Sequence, residues 1–309
     1  MNDVIIGHTP ILDYFERVIA KDNLSHAYYF VGPDHVGKKT VAQKLSAELL
    51  NTTIARLNQS PDFFSLERVC DDKSGKLKKD ISIEQVRELI TFLRQSPFVR
   101  CGYKVALVNE ANTMSRGAAS AFLKILEEAK EKIIIFLITA DEDALLPTIK
   151  SRAQKIFFSL VSQIELETFA RENNIEEGLA KQMAEHAAGR AGLLISWLHE
   201  PTLYGEYQKE IARFHRLIGK PLYQKLQEVE ELFSDKTDHI AARDNLIQTL
   251  ATWQLAWREQ LIAGQQFLTK PFSLEQVIAV DACFMRAKIM LAKNVHPRLL
   301  VEHILLALP

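Results

Sequence analysis

The run "YYFVGPDHVGKKTVAQKLSAELL", Tyr28 to Leu50, decides the fold. An aromatic start gives way to a loop bounded by Gly32 and Gly37. After Thr40 the apolar residues Val41, Leu45 and Leu49 recur every fourth position. The order is strand, loop, helix. Gly32, Gly37 and Lys38 fall on the spacing G-x-x-x-x-G-K-[ST], a loop whose backbone N–H groups and helix N-terminus cradle phosphates while the lysine reaches the terminal ones. The position that should offer a hydroxyl to magnesium holds Lys39, and Thr40 comes one residue late. A tight strand–helix connection with no ligand would use the same glycines, so the loop alone leaves both readings open.

Outward from the loop, strand-like runs alternate with helical patterns between residues 25 and 160. They are "AYYFV" (27–31), "DFFSL" (62–66), "KVALV" (104–108), "IIIFLIT" (133–139) and "KIFFSL" (155–160). Several are almost unbroken apolar runs, as expected for strands of a parallel sheet covered on both faces. "SIEQVRELITFL" opens with a capping box from Ser82 to Gln85 and then places Val86, Leu89, Ile90 and Leu93 on one helical face. "SRGAASAFLKILEEA" repeats that spacing with Ala118, Ala121, Phe122, Ile125 and Leu126. Strands alternating with helices predict a doubly wound α/β domain. Beyond about residue 160 the strand signals fade into a short helical unit, and from about 205 the chain reads as helical throughout. Leu246, Leu250, Trp253, Trp257 and Leu261 form a stripe expected in a helix-bundle core, and Ser273 to Gln276 is a second capping box.

Composition narrows the classes. At 309 residues the chain exceeds one ordinary domain, and 47% hydrophobic with 25% charged residues suits a globular protein with a real core. Lys and Arg number 38 against 39 Asp and Glu, for a net charge of −1. That argues against nucleic-acid binding by bulk charge and leaves room for a local basic face. The start, "MNDVIIGHTP", has no basic and apolar regions of a signal peptide. No run approaches the roughly 18 apolar residues of a spanning helix. Cys70, Cys101 and Cys283 are odd in number and never spaced C-x-x-C. They predict neither a disulfide framework nor a cysteine zinc site, and they suit a reducing cytosol.

A phosphate loop that hydrolyses needs an acidic pair at the end of a later strand. "KVALVNEAN" occupies that place, with Asn109 where a magnesium-holding Asp belongs and Glu110 where a glutamate would orient water. Lys39 and Asn109 together remove a hydroxyl, remove a carboxylate and add a cation. Metal ions neutralise the charge that develops on a transferred phosphoryl group, so these changes predict loss of hydrolysis more than loss of binding. Thr139 ends "IIIFLIT", where its hydroxyl either senses a terminal phosphate or simply closes the strand. Arg152, in "LLPTIKSRAQKIFF", precedes the last strand as either a surface arginine or one offered to a neighbour's phosphate.

The string "ISIEQVRELITFLRQSP…GYKVALVNEANTMSRGAASAFLKILEEA…IIIFLITADEDALLPTIKSRAQKIFF" (81–158) resembles the AAA+ clamp-loader family of the bacterial replicative polymerase, most closely the delta-prime group of DNA polymerase III subunits. "IIGHTPILDYFERVIAKDNLSHAYYFVGPDHVGKKT" near the start and "NVHPRLLVEHILLAL" at the end are similar to the same group. The resemblance implies a RecA-like AAA+ α/β domain with a parallel sheet at 1–160, a small helical lid at 161–204 and an all-α collar for oligomerisation at 205–309. It implies a largely non-hydrolysing stator in a hetero-pentameric ring with gamma/tau-like and delta-like subunits. Such a ring loads the sliding clamp on primed DNA during replication, in the cytoplasm and away from membranes. The chain would belong to the DNA-directed DNA polymerase holoenzyme while lacking ATPase and polymerase activity of its own.

The resemblance also assigns residues. Delta-prime-like subunits lend the arginine of an S-R-C motif to the adjacent ATPase; here the motif reads Ser151, Arg152, Ala153, and the arginine is the working group. Family members often carry four zinc-binding cysteines where this chain reads "LNTTIARLNQSPDFF", so no zinc is expected. Gly192 stands where the lid's sensor arginine belongs, with Arg190 two residues early. ATP or ADP binding through Gly32, Gly37, Lys38 and Thr40 stays open, with magnesium weak or absent. Ser115 and Arg116 begin a helix that faces the DNA backbone in related subunits; an N-cap followed by a solvated arginine is the other reading. "KSGKLKKD" (73–80) reads as a solvated hairpin. The alternative is a catalytically active gamma/tau-like ATPase. Lys39 and Asn109 speak against it, as does a chain that stops within the collar, where gamma/tau-like chains often extend further. An unrelated nucleotide-binding regulator is disfavoured by the "LEEA…TIKSR" string.

Overall fold

The structure is a computed structural model that describes residues 4–71, 75–99, 102–128, 132–233, 239–262, 273–292 and 295–309. Cys101, the first two residues of "KSGKLKKD" and the side chain of Leu261 lie outside the described residues. The chain divides into two compact units, Met1–Cys70 with Lys78–His199, and Asp71–Leu77 with Glu200–Pro309.

The first unit is built on five parallel strands: β1 (Ala27–Val31), β2 (Phe63–Leu66), β3 (Lys104–Val108), β4 (Ile133–Thr139) and β5 (Gln154–Phe157), in the spatial order β2-β3-β4-β1-β5. Its helices are α1 (Thr9–Ala20), α2 (Lys38–Leu49), α3 (Ile83–Arg94), α4 (Arg116–Glu127), α5 (Pro147–Lys150), α6 (Gln163–Glu172), α7 (Glu177–Ala187) and α8 (Ala191–His199). Alternation along the strands sends Tyr28, Phe30, Leu107, Ile134 and Phe136 to one face, under Phe15 of α1 and Val41 and Leu45 of α2. Tyr29, Val31, Ala106, Ile135 and Leu137 go to the other, under Val86 and Leu89 of α3 and Phe122 and Ile125 of α4. Burial on both faces is why these runs are apolar without alternation. β5 departs from its expected span: it starts at Gln154 and ends at Phe157, and the last three residues of "KIFFSL" leave the sheet. The Phe158 N–H still donates to the Val31 carbonyl at 2.8 Å, and its ring is fully buried.

One polar feature sits inside this core. Lys104 and Asp62, at the entrances to β3 and β2, pair at 3.4 Å with side chains only 3% and 4% exposed. The ammonium also lies 3.8 Å from the centre of the Phe92 ring, and Asp62 accepts the N–H groups of Phe98 and Val99. Those extra contacts are what make burial of two charges tolerable.

The second unit is helical: α9 (Pro201–Leu217), α10 (Leu222–Val229), α11 (His239–Ile262), α12 (Leu274–Ala292) and α13 (Pro297–Ala307). Leu246, Leu250, Trp253 and Trp257 of the expected stripe are buried there with Phe214, Phe284 and Ile304. Both indole N–H groups find acceptors, Trp253 on Glu210 at 2.6 Å and Trp257 on the Val277 carbonyl at 3.3 Å. The buried Lys225 ammonium donates to the carbonyls of Leu305 and Leu308 at the C-terminal end of α13, where a cation is favoured. Pro201 opens α9, so the boundary expected at 204/205 falls inside that helix. Among the described residues, no helix is long and apolar enough to cross a membrane.

Candidate functional site

The loop between β1 and α2 is fixed by close backbone approaches. Gly32 has φ +153°, and a Cβ built on it would lie 2.3 Å from the Phe158 carbonyl oxygen, so only glycine fits. Gly37, with φ +104°, is the residue before α2. Lys38 begins that helix and is 6% exposed. Its Nζ donates back to the loop, to the Gly32 carbonyl at 2.5 Å and the Pro33 carbonyl at 2.6 Å. Burial lowers the pKa of this ammonium to about 8, with the Asp34 charge opposing. Two more of the loop's carbonyls are engaged from outside. His8 Nε2 donates to the Val36 carbonyl at 2.8 Å, and the Gly192 N–H donates to the His35 carbonyl at 2.6 Å.

That last contact bears on the lid. A Cβ on Gly192 would lie 2.8 Å from the His35 carbonyl oxygen, so the backbone of α8 rests directly on the loop. The position where the resemblance expects a sensor arginine has room for hydrogen only. Arg190 stays beside the end of α7, with Nη1 donating to the Ala188 carbonyl at 3.4 Å.

Further groups gather where β2, β3 and β4 end, the carboxyl edge at which open α/β sheets present ligand-binding residues. Lys39 Nζ bonds Glu67 Oε2 at 2.8 Å, and Asn109 Nδ2 lies 3.5 Å from the same oxygen. The sequence therefore places Lys39 and Asn109 together, and the structure adds the carboxylate between them. Glu110, at φ +52°, is held through both carboxylate oxygens by Arg68, at 2.6 Å from Nε and 3.3 Å from Nη2. Thr139 is 1% exposed. Its hydroxyl accepts the Asp141 N–H at 3.0 Å and sits 2.7 Å from the Asp141 carbonyl and 3.1 Å from Asn112 Oδ1. Thr40 lies half-buried on α2.

The donor set does not fit magnesium, which a phosphate-binding loop holds through a hydroxyl and one or two free carboxylates together with the phosphates and water. One carboxylate here is neutralised by an ammonium, another is clamped by a guanidinium, and the residue between strands is a carboxamide. Glu67 and Arg68 escaped the sequence reading. The signal was "SLERV", a charged pair directly after a strand at the sheet's carboxyl edge.

The remaining candidates lie elsewhere in this unit. Arg152 occupies the turn between α5 and β5, its side chain 36% exposed and paired with Glu127 at 2.8 Å. Its Nη1 donates to the Thr148 carbonyl at 3.0 Å and to Ser151 Oγ at 3.2 Å. Ser115 caps α4, its hydroxyl accepting the Ala118 N–H at 3.2 Å, and Arg116 is exposed beside it.

A family model described as "DNA polymerase III, delta subunit" matches residues 7–162. A DNA polymerase III subunit delta' from Pseudomonas aeruginosa is 34% identical over 142 residues, covering 41% of this chain and 41% of that protein. The match thus spans about two-fifths of that relative's length. A DNA polymerase III subunit gamma from Buchnera aphidicola is 25% identical over 285 residues, 85% of this chain and 75% of the relative. Among solved structures, a DNA polymerase III gamma subunit-related protein from Thermotoga maritima aligns with a TM-score of 0.48 at 21% identity, covering 96% of this chain and 97% of that one.

Proposed function

The chain belongs to the DNA polymerase III delta-subunit family, within the clamp-loader proteins of that polymerase, and we propose that it is the delta-prime-like member, a stator that does not hydrolyse ATP. In this reading it sits in a cytoplasmic hetero-pentameric ring beside gamma/tau-like and delta-like subunits and helps place the sliding clamp on primed DNA. Residues 1–160 serve as the AAA+ domain, helices α6 to α8 as the lid and the helical unit from Glu200 onward as the collar. Arg152 is extended to ATP bound by the neighbouring subunit, where such an arginine is worth on the order of 10³–10⁵ in rate. Ser115 and Arg116 meet the DNA backbone, and no zinc is required.

The observation that carries this reading is the Lys39 ammonium, bonded to Glu67 and next to Asn109 where a hydrolytic site needs a divalent ion. The Arg68 clamp on Glu110 supports it, because a carboxylate so engaged is a poor orienter of water. The gamma-like reading rests on a specific fact, the longer alignment with a gamma relative. One assay separates the two. Purified chain with Mg-ATP is expected to release phosphate at the background rate, alone or with primed DNA. Sustained turnover that disappears in Lys38→Ala would establish the gamma-like ATPase instead.

A further inference from the structure

Glu127 is the last residue of α4 and Glu128 follows it. Two carboxylates at the C-terminal end of a helix face the negative end of its dipole, an arrangement that costs stability unless cations answer it. Each has its own arginine: Glu128 lies 3.3 Å from Arg94, and Glu127 lies 2.8 Å from Nη2 of Arg152. An ion pair this exposed contributes little to folding. Its consequence is orientation.

Two hydrogen bonds from Nη1 and an ion pair at Nη2 hold Arg152. Nη1 reaches the Thr148 carbonyl and Ser151 Oγ, and Nη2 reaches Glu127. The first two anchors belong to the arginine's own turn, within four residues, where Ile149 is buried in the core. Glu127 comes from a different element, α4, whose Phe122, Ile125 and Leu126 are locked into the core. It ties the guanidinium to a second packed element.

We propose that Glu127 is a positioning residue for Arg152: it sets the guanidinium's direction before a partner's phosphate arrives, and it touches neither that phosphate nor the partner's reacting atoms. The proposal rests on Arg152 acting in trans. Loss of a single anchor of this kind misplaces the acting group, and a displacement of about 1 Å can cost up to ~10²-fold in rate.

The test is a double-mutant cycle on partner ATPase turnover in the complex reconstituted with the native sister subunits, at saturating ATP and DNA. Assembly is followed by sedimentation and folding by thermal melts. Arg152→Ala is expected to lower kcat by about 10²-fold or more. Glu127→Ala is expected to lower kcat roughly tenfold with KM unchanged. Glu127→Gln, which keeps an acceptor oxygen without the charge, should recover most of that loss. The double variant should be no slower than Arg152→Ala alone, since a residue acting only through the arginine has nothing left to position. An unchanged rate in Arg152→Ala removes the trans-acting arginine itself. A slow Arg152→Ala with a normal or faster Glu127→Ala leaves that arginine in place and overturns the positioning role, as does an additive loss in the double variant.

Discussion

Lys38 and Lys39 are neighbours that the fold uses in opposite ways. Lys38 is turned inward onto two carbonyls of its own loop, and Lys39 outward onto Glu67. The buried ammonium has a testable signature. Its folded pKa is about 8 against an ordinary 10.5, so between those values the unfolded chain holds a proton that the folded chain has released. The linkage sign is then positive: this residue raises stability as pH climbs from about 8 toward 10.5, and below 8 its contribution is flat. An NMR titration of the Lys38 side chain should show a midpoint near 8, and Lys38→Met should abolish that segment of the stability profile. A midpoint at the ordinary lysine value would show that the ammonium is solvated instead of folded over the loop.

At the scale of elements, the Asp62–Lys104 pair ties the entrances of β2 and β3 to the loop after α3. Asp62→Ala leaves a buried lysine without its countercharge and should destabilise the first unit by about 3–5 kcal/mol in urea unfolding. Adding Lys104→Met should restore a good part of that loss, because two apolar groups need no partner. A single variant as stable as the parent would mean that water reaches the lysine. Elements were also the most legible level of the sequence. "AYYFV", "KVALV" and "IIIFLIT" are strands with the bounds their runs suggested, since burial on both faces keeps their interiors apolar. The Ser82 and Ser273 capping boxes both form. "KIFFSL" was less legible because Phe158 is buried outside the sheet, and an apolar residue looks the same in a strand and just past it.

For the whole molecule, legibility followed sequence distance. The loop glycines and Lys38 announce themselves within one short motif. The partners that define their chemistry come from far along the chain: Glu67 beside Lys39, Arg68 on Glu110, Gly192 on His35. A spacing pattern holds no information on such pairs; the tertiary fold, which brings strand ends and helix α8 up to the loop and α2, creates them. A net charge of −1 likewise conceals a site whose local charges cancel pair by pair. The central claim is that those cancellations leave no seat for a divalent ion. The direct measurement is electron paramagnetic resonance of Mn²⁺, a magnesium surrogate, titrated into the purified chain with ATP. The account predicts the spectrum of free Mn·ATP at every protein concentration, and a gain of protein-bound signal in a Lys39→Ser, Asn109→Asp double variant. A bound spectrum in the parent chain that vanishes in Asn109→Ala would contradict it.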